Sequence, residues 1–456
     1  MNLNSTEFRV GTACRNITPP YPVYLYGYAA RDRKSDAICE PVFLSCLSLA
    51  DAQKTMLIIT CDMIGIESDI CQALYDILAA EMGINFPDIL ISCSHTHFAP
   101  GIHHDILNSP ALGIVAPDER FVADFKIKLV EAARESLRNA FPAQLETTRI
   151  QIPQAVFNRR TLKSDGSVQT NFMYPQFPHD VAFNQTDHQM TVLRMKNESG
   201  VGAILLNFGC HPVTGGANHY AISSDYPFYL RQKLAEHYHC PVFFTLGAAG
   251  DTVPMNRGGE CRKMIGELLG NSILLAERTY QPDDLVELKS DVLPVAVKTI
   301  FATNPDTSQA ELELARDELL ALPPEMKTNN QGDRYQIAAR TYSQKLIARK
   351  RSLLYPDNST QVKIQFIKIG RTTLVALPFE VLSEISLKMK TRCADSVLLS
   401  CSGGYQGYLP AAHEYPRGGY EATEWSTHFE IGTADMLLEK ILSHPFLHCE
   451  SDSTGD

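Results

Sequence analysis

The sequence predicts a mixed α/β fold, with largely parallel sheets flanked by helices and a helical insertion. Three observations predict it. Two apolar, β-rich runs, Lys54 to Met63 and Ile89 to Cys93, bracket a stretch with apolar residues at helical spacing, Ser68 to Met82 (Ile70, Leu74, Ile77, Leu78); strand, helix, strand is the order that joins neighbouring parallel strands. Ionisable residues stand just past the ends of apolar runs, at Asp62, at His95 and His97, and at His211, where α/β folds carry their functional loops. Finally, Ser308 to Leu354, broken at Pro323-Pro324, reads as a long helical pair inserted among strands.

Composition bounds the function classes. A chain of 456 residues with 44% hydrophobic and 20% charged residues can bury a sizeable core and is not disordered. Its 41 basic and 52 acidic residues give a net charge of -11 with no basic block of groove length, which argues against a nucleic-acid partner. Met1 to Pro20 contains Glu7, Arg9 and Arg15 and no signal-like apolar run, and no stretch approaches the roughly 18 apolar residues of a membrane span. The expected location is the cytoplasm. Twelve cysteines form no C-x-x-C pair, and Cys46, Cys61 and Cys93 lie in apolar surroundings, so they read as reduced core thiols.

Taken in order, Phe8 to Ala13 is a strand, Asn16 to Pro20 a turn, and Gly27 with Arg31-Asp32-Arg33-Lys34 an exposed loop. Val42 to Asp51 and Lys54 to Met63 are two strands of one sheet across the turn Asp51-Ala52-Gln53. Asp62 then either serves a site or caps the next helix. At the end of Ile89 to Cys93 a period of 2 sends His95 and His97 to one face. Two imidazoles that reach one point are a common half of a metal site, neutral imidazole being the commonest protein ligand for zinc; two ordinary polar residues at a strand end are the alternative. The loop Gly101 to Pro117, with His103, His104 and Asp105, is of a length that is often functional. Glu119 to Ala140 is an amphipathic helix.

Thr148 to Phe157 reads as a strand ending at Asn158-Arg159-Arg160, and the aromatic segment around Phe172, Tyr174 and Phe177 as a pocket wall or a surface excursion. Gln189 to Met195 and Gly202 to Cys210 are strands, the second delivering His211. Ser223-Ser224-Asp225 leads a helix to about Tyr238, and Pro241 to Leu246 is a strand. Gly247-Ala248-Ala249-Gly250-Asp251 is a turn of small residues that would let backbone approach a ligand, without phosphate-loop spacing. Gly259 to Glu277 is helical, Val286 to Phe301 extended, and Gln361 to Leu377 a hairpin turning at Gly370-Arg371. It delivers Glu380, read as opening a helix with Leu382, Ile385 and Met389 on one side, where the helix dipole favours an acid. Tyr405, Tyr408, Tyr415 and Tyr420 stand among five glycines between Ser402 and Glu421, an aromatic loop suited to packing or to ligand contact.

With these residues assembled, the chain resembles the neutral/alkaline ceramidase family of zinc amidohydrolases. The family pattern S-H-T-H-x-x-P-G is Ser94-His95-Thr96-His97-Phe98-Ala99-Pro100-Gly101. His211 ahead of Ser223-Ser224-Asp225, the pair Asn158-Arg159, Pro378-Phe379-Glu380, and the series Tyr408, Tyr415, Tyr420-Glu421 match its other motifs. The resemblance runs from about Arg9 to Cys449 and implies a catalytic domain over 1–449 with a helical insertion at about 303–357 and a flexible tail, 450–456. It implies a zinc site at strand ends, with Zn2+ held by His95, His211, Glu380 and Tyr408, and with His97, Arg159 and Tyr420 beside it as catalytic residues. Val253 stands where the family's G-D-V-S-P motif carries a serine, which excludes a serine nucleophile there. By the same resemblance, the chain is expected to comprise the catalytic domain without the family's C-terminal immunoglobulin-like domain.

Two histidines, a carboxylate and a phenolate can hold zinc and leave room for a water whose pKa the metal lowers to about 7. The expectation is hydrolysis of an N-acyl amide bond in a lipid or a soluble small molecule, with His97 shuttling a proton and Tyr420 or Arg159 facing the oxyanion. Asp62 and Asp225 are expected to orient ligand histidines. An ester, N-acetyl or glycosyl hydrolase on the same zinc frame, or a non-catalytic metal-binding protein, are the rivals.

Overall fold

Short polar turns decide which strands run antiparallel. The structure, a computed structural model, describes residues 8–28, 31, 33–102, 116–300, 305–323, 326, 334–424 and 426–448. The loop with His103, His104 and Asp105 and the tail 450–456 lie outside the described residues. In the first sheet, Asp51 Oδ1 accepts from the backbone N–H groups of Gln53 and Lys54, both at 2.8 Å. This side-chain turn folds Phe43–Ala50 back on Thr55–Cys61 as an antiparallel pair. Arg9–Asn16 extends the sheet on one side, and Ile89–Cys93, reached through the helix Ser68–Met82, joins Thr55–Cys61 in parallel on the other.

The second and third sheets repeat this plan. The strands Gln144–Gln151, Gln189–Asn197 and Gly200–Phe208 are antiparallel neighbours, and only Val242–Leu246 joins in parallel, beside Gly200–Phe208. Leu288–Lys298, Ser359–Ile369 and Thr372–Ala376 are antiparallel, and Ser396–Leu399 adds in parallel to Thr372–Ala376. The fold is therefore mixed α/β, but the expected largely parallel sheets are corrected: each of the three has one parallel pair. Two- to four-residue turns cannot cross over a sheet; parallel neighbours need a longer connection, supplied here by the helices Ser68–Met82, Tyr226–Tyr238 and Ser383–Arg392.

The C-terminal ends of the three parallel pairs meet. Ser92 bridges to Ser402, Cys93 N–H donates to Cys401 O at 3.1 Å, and Ser400 N–H donates to Leu246 O at 2.8 Å. His95, His211 and Glu380 each follow one strand of a pair, so three sheets deliver them to one place, in keeping with the rule that open α/β sheets bind ligands beyond their strands' carboxyl ends. Between Leu288–Lys298 and Ser359–Ile369 the chain makes two further helices, Pro305–Leu320 and Arg334–Leu354, packed through Ala315, Leu319 and Tyr342. No helix among the described residues is long and apolar enough to cross a membrane. The described cysteines are all free.

Three local expectations are corrected. The strand read over Thr148 to Phe157 ends at Gln151 and resumes as Val156–Asn158, which pairs with Thr252–Pro254; Pro153 lies in the gap and has no N–H for a ladder. Glu380 does not open a helix. Its N–H donates to Gly407 O at 2.9 Å, and Glu380–Val381 pairs in parallel with Tyr408–Leu409, the helix beginning at Ser383. Arg31, read as exposed, is 2% exposed and donates to the carbonyls of Tyr26, His97 and His219 at 3.0, 2.5 and 3.0 Å. Three carbonyl oxygens there replace the water a guanidinium needs.

Candidate metal centre

His95 and His97 meet for a reason other than strand alternation. The strand ends at Cys93, and the chain then turns: Ser94 and His95 N–H donate to Cys61 O and Met63 O, each at 2.9 Å, and His95 takes a φ of 66°. A non-glycine residue held in this left-handed conformation stores strain, a feature concentrated at functional sites. The turn leaves His95 Nε2 and His97 Nε2 3.4 Å apart. His211 comes from the second sheet, its own N–H bound to Thr252 O. Glu380 comes from the third.

The tautomers of two imidazoles follow from their partners. His95 Nδ1 lies 2.5 Å from Ile64 O and His211 Nδ1 3.1 Å from Thr252 O. A carbonyl only accepts, so both Nδ1 atoms carry the proton and both Nε2 lone pairs point inward. They point at one carboxylate oxygen: Glu380 Oε2 is 3.1 Å from His95 Nε2 and 2.9 Å from His211 Nε2. The other oxygen, Oε1, accepts from Tyr405 Oη at 2.6 Å. His95, His211 and Glu380 are 1%, 1% and 3% exposed, so no bulk water relieves the contact.

Apposed lone pairs repel unless a proton or a metal ion lies between them. Burial pushes His211 down to about 4 and His97 well below the ordinary imidazole range, so neither supplies positive charge at neutral pH. Burial alone would raise Glu380, yet the facing imidazoles outweigh it and hold the carboxyl well below its usual range. A bound metal ion would supply the positive charge that burial denies to His211 and His97. The donors are spaced for one: ligand atoms on a tetrahedral zinc with bonds of 2.0–2.1 Å lie about 3.3 Å apart. One ring nitrogen from each of His95, His97 and His211 lies within 4.8 Å of the other two. A second group, Glu384, His413 and Glu414, is less suited, because Glu414 is already paired with Arg160 and Arg417.

Tyr408 lies beside Glu380 on the two-residue parallel ladder. Arg159 Nη2 donates to Tyr408 Oη at 3.0 Å and to Gly250 O at 2.9 Å, and its Nε to Glu421 Oε1 at 2.6 Å. Burial raises the Tyr408 phenol well above its usual range, and the Arg159 cation opposes that. Tyr420 is edge-on to Tyr408 with ring centres 5.6 Å apart, and it is 42% exposed, at the solvent lip with Phe172 against it. The structure thus gathers His95, His97, His211 and Glu380 at one point, with Tyr408, Arg159 and Tyr420 as its adjoining wall. Tyr405, whose hydroxyl orients Glu380, is the residue that sequence reasoning passed over; one tyrosine among four in a glycine-rich loop carries no distinguishing signal.

The expected roles of Asp62 and Asp225 are corrected. Asp62 pairs with Arg231 at 2.6 Å and accepts from Phe43 N–H and Ser224 Oγ, while Asp225 caps the helix Tyr226–Tyr238 and accepts from Thr214. Backbone carbonyls orient the histidines instead. The small-residue turn at Gly250 serves backbone packing: a Cβ there would stand 2.6 Å from Glu380 O. Val253 is buried with Phe157 and Val213, where a serine hydroxyl would meet apolar neighbours.

Gly27 makes room for His97. Its φ is +104°, and a Cβ would lie 2.5 Å from His97 Cγ and Nδ1. Gly27→Ala is expected to displace the His97 ring and lower kcat by about a hundredfold, the scale of a 1 Å misplacement, with metal content retained. Full activity in the folded variant would show that His97 has no part in turnover.

Acid is expected to destabilise the protein. His97 and His211 have lowered folded pKa values, so between about 6.5 and 4 the unfolded chain binds more protons and stability falls as pH falls. The lowered Glu380 carboxyl acts in the same direction at lower pH. Asp251, pushed up to about 6 by burial, and Asp225, also raised by burial, work the opposite way, whereas His188 and His219, lowered by burial, add to the fall. The net is a falling Tm from pH 6.5 toward 4 in chelator-treated protein; a flat Tm there would contradict neutral buried imidazoles.

The family model "Neutral/alkaline non-lysosomal ceramidase, N-terminal" matches residues 8–266. Among solved structures, the fold is similar to neutral ceramidase from Pseudomonas aeruginosa, with a TM-score of 0.71 and 17% identity over 96% of this chain and 74% of that one. It is also similar to a ceramidase complexed with C2, with a TM-score of 0.71 and 16% identity at the same coverage. No curated protein sequence matches.

Proposed function

Because the chain belongs to the neutral/alkaline ceramidase family, we propose that it is a zinc-dependent amidase that cleaves the N-acyl bond of ceramide or of a related, more soluble N-acyl amine. The observation that carries the metal is the pair of inward Nε2 lone pairs facing the Glu380 carboxylate in a dry site. Nitrogen and oxygen donors at this spacing suit zinc. His95, His211 and Glu380 would hold the ion, with Tyr408 as the fourth donor. Bound there, zinc supplies Lewis acidity, polarising an amide carbonyl and making a water acidic enough to ionise near neutral pH.

The other steps belong to the chain's own residues. His97, neutral at pH 7 because it is buried, accepts the proton that the attacking water loses and returns it to the leaving amine nitrogen. Arg159 fixes Tyr408 through its Oη and is itself fixed by Glu421. Tyr420, at the lip, donates its hydroxyl to the oxyanion that develops on the carbonyl oxygen. Tyr405 keeps the Glu380 carboxylate from rotating out of line.

The test is to measure bound metal by elemental analysis and to offer the zinc-loaded protein N-acyl sphingosines beside soluble N-acyl amines, acetylated sugars and matched esters, reading product masses. A free amine is the expected product. Release of alcohol from the esters alone, or no product from metal-loaded protein, would refute the amidase reading.

A further inference from the structure

His97 is the one imidazole of the centre that no carbonyl orients through its ring. His95 and His211 are fixed through Nδ1 by Ile64 O and Thr252 O, whereas His97 Nδ1 has no hydrogen-bond partner among the described residues. A ring that passes a proton still needs one orientation, so its hold comes from its backbone and from packing. On one side its N–H donates to Pro212 O at 3.4 Å, next to His211. On the other, its carbonyl accepts from Arg31.

Arg31 is 2% exposed, and the hydrogen bonds of its guanidinium among the described residues all end on backbone carbonyls: Nη1 on Tyr26 O at 3.0 Å and His97 O at 2.5 Å, Nη2 on His219 O at 3.0 Å. Burying a guanidinium on neutral partners alone is costly, and an apolar side chain would fill the same space without that cost. What an apolar side chain cannot do is bond three carbonyls at once, two of them 66 and 188 positions away, through a planar fork of fixed geometry. The three carbonyls belong to the segment that lies over the His97 ring, to His97 itself and to the loop that follows His211. The same segment supplies Gly27, which leaves the gap for the ring, and Tyr28, edge-on to His97 with ring centres 4.8 Å apart. Tyr28 is held in turn by Arg31, whose backbone N–H donates to its carbonyl at 3.2 Å and whose guanidinium lies 4.8 Å from its ring centre.

We propose that Arg31 is a positioning residue for His97: it ties the His97 carbonyl to the loop after His211 and holds Tyr28 against the ring, so that the imidazole faces the centre in one orientation. This rests on the amidase reading only for the use made of His97 in turnover. The hold itself is a matter of hydrogen bonds and packing, and it exists with or without a metal ion.

The test is NMR of the chelator-treated full chain with isotopically labelled histidine, in the parent, Arg31→Met and Arg31→Gln, with bound zinc and turnover measured on the same preparations after zinc loading. In Arg31→Met the His97 ring resonances are expected to shift and broaden, while the Nδ1–H resonances of His95 and His211, held by their own carbonyls, stay in place. Zinc content should match the parent, with kcat down about a hundredfold, the scale of a 1 Å misplacement, and KM unchanged. Arg31→Gln, which keeps an N–H donor for a carbonyl, should lie between, and it decides by the same readouts if Arg31→Met does not fold. His97 resonances that match the parent would overturn the proposal. So would all three histidines moving together, or loss of zinc, since Arg31 would then support the fold at large. Turnover is scored separately: a displaced His97 ring with parental kcat would sink the proton transfer assigned to His97 and leave the positioning role standing, whereas parent protein that forms no product would sink the amidase reading alone.

Discussion

Glu380→Gln is expected to abolish activity and strip the metal. The substitution keeps the shape and the acceptor for Tyr405 but removes the charge that faces His95 and His211. Loss of a supporting partner outside the ligands alone costs about 10–100-fold in metal affinity or activity, so loss of a donor's charge should exceed a hundredfold in both. Elemental analysis and turnover on the same preparation provide the check. A Glu380→Gln protein with full metal and full turnover would refute the assignment of His95, His211 and Glu380 as the centre. Tyr405→Phe is the graded companion, because it leaves every donor in place and frees only the carboxylate's rotation.

The second large effect is on stability. Glu421 is wholly buried and receives Arg159 through Oε1 and Arg160 through Oε2, each at 2.6 Å. Arg160 has Glu414 as a further partner, whereas Arg159 turns from Glu421 directly to Tyr408. Glu421→Gln leaves Arg160 with Glu414 and the buried Arg159 with no acid partner. Breaking a buried pair by removing one partner costs about 3–5 kcal/mol, a large share of the net stability of about 5–15 kcal/mol typical of a folded domain. Denaturant unfolding should show this loss, and surviving protein should turn over slowly because Arg159 no longer holds Tyr408. A midpoint within error of the parent would mean that Glu421 is not the counter-charge its geometry indicates. Replacing Arg159 by Met in the same background should recover part of the stability, though not the turnover, since the orphaned charge is then removed.

Much of the element order is legible in the sequence because it depends on near neighbours. The helix Ser68–Met82 and the hairpin at Gly370-Arg371 follow from residues within a few positions of one another. Local pattern also located His95, His97 and His211 past strand ends, although joining His95 and His211 to Glu380 and Tyr408 came from resemblance to a family pattern and not from spacing. The start of the helix after Glu380 was misread for the same reason in reverse: Leu382, Ile385 and Met389 keep helical spacing, but the backbone of Glu380 is claimed by Gly407, which periodicity cannot register.

The order of strands and helices, the mixed α/β class and the candidate imidazoles are thus legible from the residues alone, because side-chain periodicity and turn chemistry act over a few residues. The direction of most strand pairs, the carbonyls of Ile64 and Thr252 that turn two lone pairs inward and the hydroxyl of Tyr405 on Glu380 emerge only in the folded molecule. Each of these contacts joins groups tens of residues apart in the chain, and burial, which makes an unpaired charge or lone pair costly, exists only once the sheets have closed around it.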